Sequence, residues 1–297
     1  MHKVLSIILI AALSITPAYA QKKRYLPVNE VEQTLAQGLR TYILSDYKGA
    51  MRNFEAVING TPAGNDASAD AAMRSAHCRA LFGMGLVWNF LDNPDRKKAA
   101  EYYRLAADQG GRTDEAAWAL LALARLKHVV GINEEPDFPA IRAAYQNVID
   151  AFPVHPAAEE AIIYQQETYL VSWKKDDAII AEKALVNYVK NYPDPHHLRL
   201  AYTCLGFVYK MLDNPQKRME VSLAHLKLIE GDVVNPINKD LSPAIWQIAD
   251  IAEWGLGDFV TARNYYNRLI REYPLDMRVF AAKIALKRMD EMEGKKR

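Results

Sequence analysis

The sequence predicts an all-α protein built from repeated helical hairpins, and three observations carry this prediction. Residues 85–94 and 206–215 share one pattern, G-x-V-[WY]-x-x-L-D-N-P. Around each glycine, apolar and aromatic residues recur at helical spacing on one stripe, where we expect the backbone of a neighbouring helix to approach the glycine closely. Asp-Asn-Pro then ends the helix and opens a turn. The hydrophobic fraction of 50% with only 14 Gly and 14 Pro is typical of a globular chain.

The first 20 residues predict a secretory signal peptide. Lys3 gives a basic start, residues 4–15 are apolar, and residues 18–20 (Ala-Tyr-Ala) form a small-x-small cleavage site. The apolar stretch is shorter than the ~20 residues that cross a membrane, so a retained anchor is the weaker alternative. Gln21 stands where a bacterial lipoprotein needs its lipid-bearing cysteine. We therefore expect a mature chain without a membrane span in the periplasm or outside the cell.

The charges of the chain nearly cancel. It carries 37 basic and 36 acidic residues, a net charge of +1, and loss of Lys3 with the signal peptide brings the balance to zero. A chain without net positive charge has no electrostatic potential to attract a polyanion. Nucleic acid is therefore excluded as the expected partner. The short basic runs at 22–24 and 295–297 are predicted to be solvated tails, with contact to an anionic lipid or cell-wall surface as the alternative.

A second pattern also recurs along the chain: a small residue, an aromatic residue four positions later, and an apolar residue three beyond that. The full copies are Ala50/Phe54/Val57, Ala99/Tyr103/Ala106 and Ala262/Tyr266/Leu269. Ile141/Tyr145/Val148 and Ala181/Leu185/Tyr188 each depart at one position, and Met219/Leu223/Leu226 is the most degenerate copy. Together with the glycine motif, this resembles the tetratricopeptide repeat, whose first helix carries W-x2-L-G-x2-Y and whose second carries A-x3-F-x2-A before a proline. The resemblance implies a superhelical solenoid of antiparallel helix hairpins, about six of them over residues 30–275, after an N-terminal extension at 21–29.

The units are longer than usual for the family, and their endings resemble its cell-envelope subgroup. Residues 149–153 (Ile-Asp-Ala-Phe-Pro) and 271–274 (Arg-Glu-Tyr-Pro) are examples. That subgroup includes the β-barrel assembly lipoproteins and the coordinators of the Tol-Pal system, and Gln21 argues against the first of these. Residues 276–297 are predicted to hold a capping helix, apolar-periodic from Met277 to Met292, with a charged outer face and a basic tail.

The motifs that catalysis requires are missing from the sequence. It contains no phosphate-binding G-x-x-x-x-G-K-[ST], no H-E-x-x-H, no G-x-S-x-G and no C-x-x-C. The sequence therefore predicts no enzymatic activity, no catalytic residue, no cofactor and no metal site. Cys78 and Cys204 lie in different repeats, so we expect two buried thiols rather than a disulfide.

Candidate binding residues follow from the resemblance, because these first-helix positions face the concave groove in the family. The chosen residues are Phe82, Asn89, Thr203, Phe207, Lys210, Gln247 and Trp254. For each of them, packing against a neighbouring helix is the open alternative. Some family members clamp a C-terminal carboxylate with an asparagine and lysine set. Leu86, Phe207 and Ile251 stand where asparagine is needed, which disfavours recognition of a chaperone tail.

The resulting hypothesis is a non-enzymatic protein–protein interaction scaffold of the bacterial cell envelope. It would bind a peptide or a partner domain in the concave groove. A glycan- or peptidoglycan-associated envelope module is the alternative, although the repeats leave no stretch for a separate catalytic domain. Association of copies through the terminal helices is a third possibility.

Overall fold

The computed structural model describes residues 25–192, 197–232 and 240–294, which form thirteen α-helices and one π-helical segment with no β-strand among them. Consecutive helices pack on one another, so the predicted all-α solenoid is confirmed. The signal peptide and the basic tail lie outside the described residues. The helices are α1 (Val28–Ile43), α2 (Tyr47–Gly60), α3 (Ala71–Phe90), α4 (Arg96–Gly110), α5 (Asp114–His128), α6 (Phe138–Ala151), α7 (Pro156–Leu170), α8 (Lys175–Asn191), α9 (Leu198–Met211), α10 (Pro215–Gly231), α11 (Ser242–Asp250), α12 (Phe259–Glu272) and α13 (Arg278–Gly294), with the π-helical segment at Ile251–Leu256.

The helices form six hairpins, from α1 with α2 to α11 with α12, and α13 follows them. Most second helices begin at a side-chain cap. The Asp46 carboxylate accepts a hydrogen bond from the Gly49 amide at 2.9 Å, which satisfies one of the free amides of the first turn of α2. Equivalent caps begin α4, α6, α10 and α12 at Asp95, Asp137, Asn214 and Asp258.

The core of each hairpin is centred on a buried side chain of its second helix. Tyr103 on α4 is one example, and Phe54, Tyr145 and Tyr266 occupy the same position in other units. A Cβ added to Gly85 would lie 2.5 Å from Cδ1 of Tyr103. The expectation of a close helix backbone at this glycine is therefore wrong. The glycine makes room for an aromatic ring from its own hairpin.

Helix α10 departs from this arrangement. Of the predicted core set, Met219 and Leu226 are buried, whereas Leu223 is 39% exposed. Counted from the N-cap Asn214, Ser222 lies at the distance that separates Tyr103 from the cap of α4. Ser222 therefore stands at the position that Tyr103 occupies in α4.

The small side chain of Ser222 leaves space beneath α9. A Cβ added to Gly206, the counterpart of Gly85, would meet only Nε2 of Gln247, at an ordinary contact distance of 3.5 Å. The two glycines of the repeated motif therefore have opposite surroundings. Gly85 is covered by a ring, and Gly206 borders an open cavity.

The outer face of α13 combines charged side chains, as expected, with apolar ones. Val279 and Ala282 are buried against the preceding hairpin. Lys283 is exposed, and so are Phe280 and Ile284. The outer face is therefore mixed, with two large apolar side chains in its first half.

Both cysteines are buried thiols, as predicted, with Cys78 on α3 and Cys204 on α9. Burial raises the pKa of the Cys78 thiol to about 11. Burial, followed by the nearby Glu167 carboxylate, raises the pKa of Cys204 to about 12. Both groups are protonated at neutral pH and are therefore poor nucleophiles.

Candidate binding surface

Four of the seven candidate residues line one cavity between α9, α10 and α11, which we call the C-terminal pocket. Its volume is about 270 Å³. The four are Thr203, Phe207, Lys210 and Gln247, and the other lining residues are Tyr202, Gly206, Arg218, Ser222 and His225. The residues from α10 could not be chosen from first-helix positions, because the resemblance directs attention to first helices only.

Two further candidates, Phe82 and Asn89, line a second cavity of about 490 Å³ that we call the N-terminal pocket. It lies between α3 and α5 and includes Trp118 and Arg125 from α5. The Phe82 ring also packs on Tyr103, with ring centroids 5.5 Å apart. Groove exposure and core packing therefore both apply to Phe82, because its ring packs on the core and also lines the cavity.

The last candidate, Trp254, lies outside both pockets, on the π-helical segment. Its ring is 65% exposed, and the Arg288 guanidinium lies 4.7 Å from the ring centroid. Arg288 is itself held by the buried Glu253 carboxylate, with Nε 2.9 Å from Oε1. The ring is thus supported from one side by a fixed cation and open on the rest of its surface.

Two buried polar atoms in the C-terminal pocket have no hydrogen-bond partner among the described residues. They are Oγ of Ser222 and Nε of Arg218. Ser222 is 6% exposed and lies at the distance from the N-cap at which α2, α4, α6 and α12 have an aromatic side chain. A buried polar group left without a partner costs about 1 to 3 kcal/mol, so the array carries a cost here that alanine would avoid.

The charge balance of the C-terminal pocket is positive. Lys210 and Arg218 line it, and no Asp or Glu is among the described residues that line it. Burial and the cation of Arg199 lower the pKa of His225, so that ring is neutral at pH 7. Asp250 is the nearby opposing charge. Its pKa is raised by burial and by Glu253, against the lowering effect of Arg218 and Lys210.

Trp173 adds an aromatic ring beside Lys210, and sequence reasoning missed it. It occupies the turn between α7 and α8, is 63% exposed, and has its ring centroid 5.9 Å from Nζ of Lys210. Its φ of +54° is a left-handed conformation that is costly for a bulky residue. The sequence signal that could have identified Trp173 is its place in a turn, before two lysines. The other turns hold small or polar residues at this point.

The described ranges contain no group of three or more His, Cys, Asp or Glu side chains placed to hold a metal ion. None of the helices there is long and apolar enough to cross a membrane. The features that remain are the two pockets and the exposed aromatic side chains beside them.

Comparison with known proteins supports a helical-repeat solenoid. Residues 243–276, which include α11, the π-helical segment and α12, match the tetratricopeptide repeat family. A solved structure of the assembly chaperone of RpL4 (Acl4, residues 1–338) is similar with a TM-score of 0.52 and 16% identity, covering 91% of this chain and 99% of that chain. No curated protein matches the chain in sequence.

Proposed function

We propose that the chain is a non-enzymatic scaffold that binds a segment of a partner protein along its first-helix face, the surface formed by α3, α5, α9 and α11. The observation that carries this proposal is the pair of pockets on that face. They hold six of the seven candidate residues and combine aromatic walls with cations. The geometry suits recognition of a polypeptide, and among the described residues neither pocket pairs a hydroxyl or thiol with a hydrogen-bonded base.

The exposed side chains on this face are of the types that dominate protein interfaces. Phe207 is 49% exposed and Trp173 more so, and arginines line both pockets. Tryptophan, tyrosine and arginine are enriched among the few residues that supply most of the binding energy at an interface. The structurally similar protein is by its name a chaperone of another protein, which favours the same class of partner.

We further propose that this scaffold acts in the bacterial cell envelope on an envelope protein, because residues 1–20 have the form of a secretory signal. Fusion of these residues to alkaline phosphatase, which is active only after export, tests this directly. We expect an active fusion and a mature N-terminus at Gln21 by mass spectrometry. An inactive fusion, with the N-terminal residues retained on the native protein, would place the scaffold elsewhere.

Site-specific photocross-linking tests the binding face. A photoreactive amino acid replaces Phe82, Phe207 or, as a control on a second helix, the exposed Leu105 of α4. We expect the same partner to be cross-linked from Phe82 and Phe207 and not from Leu105. With that partner purified, Phe207→Ala should weaken binding by about tenfold, in the range of an interface anchor, whereas Leu105→Ala should have no effect.

Two outcomes would contradict this function. Equal cross-linking from all three positions would mean that the first-helix face is not selective. Sedimentation of the protein with purified peptidoglycan, without any cross-linked protein, would favour the glycan-associated module instead.

A further inference from the structure

We propose that the C-terminal pocket binds the carboxylate of an aspartate or glutamate side chain within the partner segment. This inference rests on the proposed function and specifies its ligand chemistry. It begins from Ser222, whose buried hydroxyl has no partner in the described structure. Four other second helices have an aromatic side chain at the same distance from the N-cap, so packing does not require a hydroxyl there. A ligand atom that accepts a hydrogen bond would satisfy it.

The second buried donor fixes the charge of that ligand. Nε of Arg218 lines the same pocket without a partner, and Lys210 adds a second cation. An N–H and an O–H that converge on one cavity match a carboxylate, whose two oxygens only accept hydrogen bonds. Asp250 lies near enough to both cations to be influenced by them. Its charge favours a singly charged ligand over a phosphate dianion.

The size and position of the pocket indicate a side chain rather than a chain end. Gly206 leaves its floor open, and the volume of about 270 Å³ has room for one acidic side chain and adjoining backbone. Tyr202 and Phe207 supply apolar wall for the methylene groups. The pocket lies between two first helices, so a segment that runs along the first-helix face passes over it and presents side chains to it.

The direct test uses the purified full chain and a capped glutamate, N-acetyl-glutamate amide, with N-acetyl-glutamine amide as its uncharged match. Binding is followed through the Nε–H resonance of Arg218 in ¹H–¹⁵N spectra. We expect the glutamate derivative to shift this resonance in a saturable way and the glutamine derivative to leave it unchanged. Ser222→Ala should weaken the binding by about tenfold, the effect of one hydrogen bond to a charged group.

Matched variants keep the test specific. Arg218→Met should abolish the binding of the capped glutamate, followed here through the backbone amide resonance of Ser222 because the Arg218 side-chain resonance is lost. Lys283→Met, which removes an exposed cation of α13, should not change the binding. Ser222→Ala removes a single oxygen atom and adds no bulk, so a folded protein is expected, and circular dichroism checks it. No shift at Arg218, equal binding of the glutamine derivative, or tighter binding of inorganic phosphate would overturn the proposal.

The outcome is separable from that of the proposed function. If a partner is cross-linked at Phe207 but binds Ser222→Ala and Arg218→Met as tightly as the wild type, the scaffold function stands and the carboxylate site is refuted. If no partner is cross-linked, the scaffold function fails. The capped-glutamate titration then still decides whether the pocket selects a carboxylate.

Discussion

The hydroxyl of Tyr266 donates a hydrogen bond to Oε2 of Glu253, across 2.9 Å, in the buried centre of the last hairpin. The other oxygen of the same carboxylate accepts a hydrogen bond from Nε of Arg288 on α13. A related contact joins Tyr188 of α8 to Glu159 of α7 at 2.8 Å. In these two hairpins, the repeat pattern places a tyrosine in the core. The tyrosine hydroxyl donates its hydrogen bond to a carboxylate from the preceding helical element.

Arg288→Met should destabilise the protein by about 2 to 3 kcal/mol. It leaves the buried Glu253 carboxylate without its charged partner, and the partial exposure of Arg288 keeps the loss below that of a fully buried pair. Urea unfolding monitored by circular dichroism measures the change. The neighbouring Lys287→Met removes an exposed cation and should change the free energy of unfolding by less than about 0.5 kcal/mol. Equal effects of the two variants would refute the structural role of the ion pair.

Gly85→Ala and Gly206→Ala should change stability in opposite directions, although both glycines occupy the same place in the repeated motif. The new methyl group at position 85 collides with the Tyr103 ring and should cost about 1 to 3 kcal/mol. At position 206 it enters open space, and the helical preference of alanine should stabilise the protein by about 0.5 to 1 kcal/mol. Thermal unfolding of the two single variants against the wild type decides the sign of each.

Trp173→Gly should raise stability by about 1 kcal/mol, because glycine adopts the left-handed backbone of this turn without strain. The same change should weaken binding of the partner, since it removes the ring beside Lys210. Asp213→Gly is the matched control. It relieves a similar backbone conformation, with φ at +55°, and should leave binding unchanged. Loss of stability in Trp173→Gly would mean that the ring is a structural element.

Acidification should destabilise the protein in part through His128. Its Nδ1 lies 3.0 Å from the Tyr145 hydroxyl, and burial lowers its pKa. The unfolded chain then binds a proton more readily than the folded one. The stabilisation that follows from this lowered pKa is fully present above a pH of about 6.5 and is lost as the pH falls through the folded-state pKa of His128. The unfolding free energy of His128→Gln should therefore fall less than that of the wild type between about pH 7.5 and pH 5. Parallel pH curves would show that His128 does not contribute.

The hairpin cores could be predicted from the sequence because each depends on spacing alone. Ala262, Tyr266 and Leu269 recur at the helical interval and are all buried. In α10 the same logic put Leu223 at the centre of the core, although Leu223 is 39% exposed. The distance from the Asn214 cap gives that position to Ser222, and a search for apolar spacing passes over a serine.

The candidate site was predicted in part, for a related reason. First-helix positions placed Thr203, Phe207, Lys210 and Gln247 together, and the structure brings them to one pocket. The Arg218 side chain reaches that pocket because Ser222 stands where other units have an aromatic ring and Gly206 has no side chain, which is a relation between two packed helices. Relations of this kind appear only when the helices are packed in space.

The open floor at Gly206 also has a mechanical meaning. First helices pack side by side from α1 through α9, and this contact is interrupted where α9 faces α11 across the C-terminal pocket. A solenoid is an elastic object whose stiffness is set at each joint between neighbours. The softest joint of this array thus lies between its fifth and sixth hairpins. A ligand seated there would act as a wedge and fix the angle at which the last hairpin and α13 project.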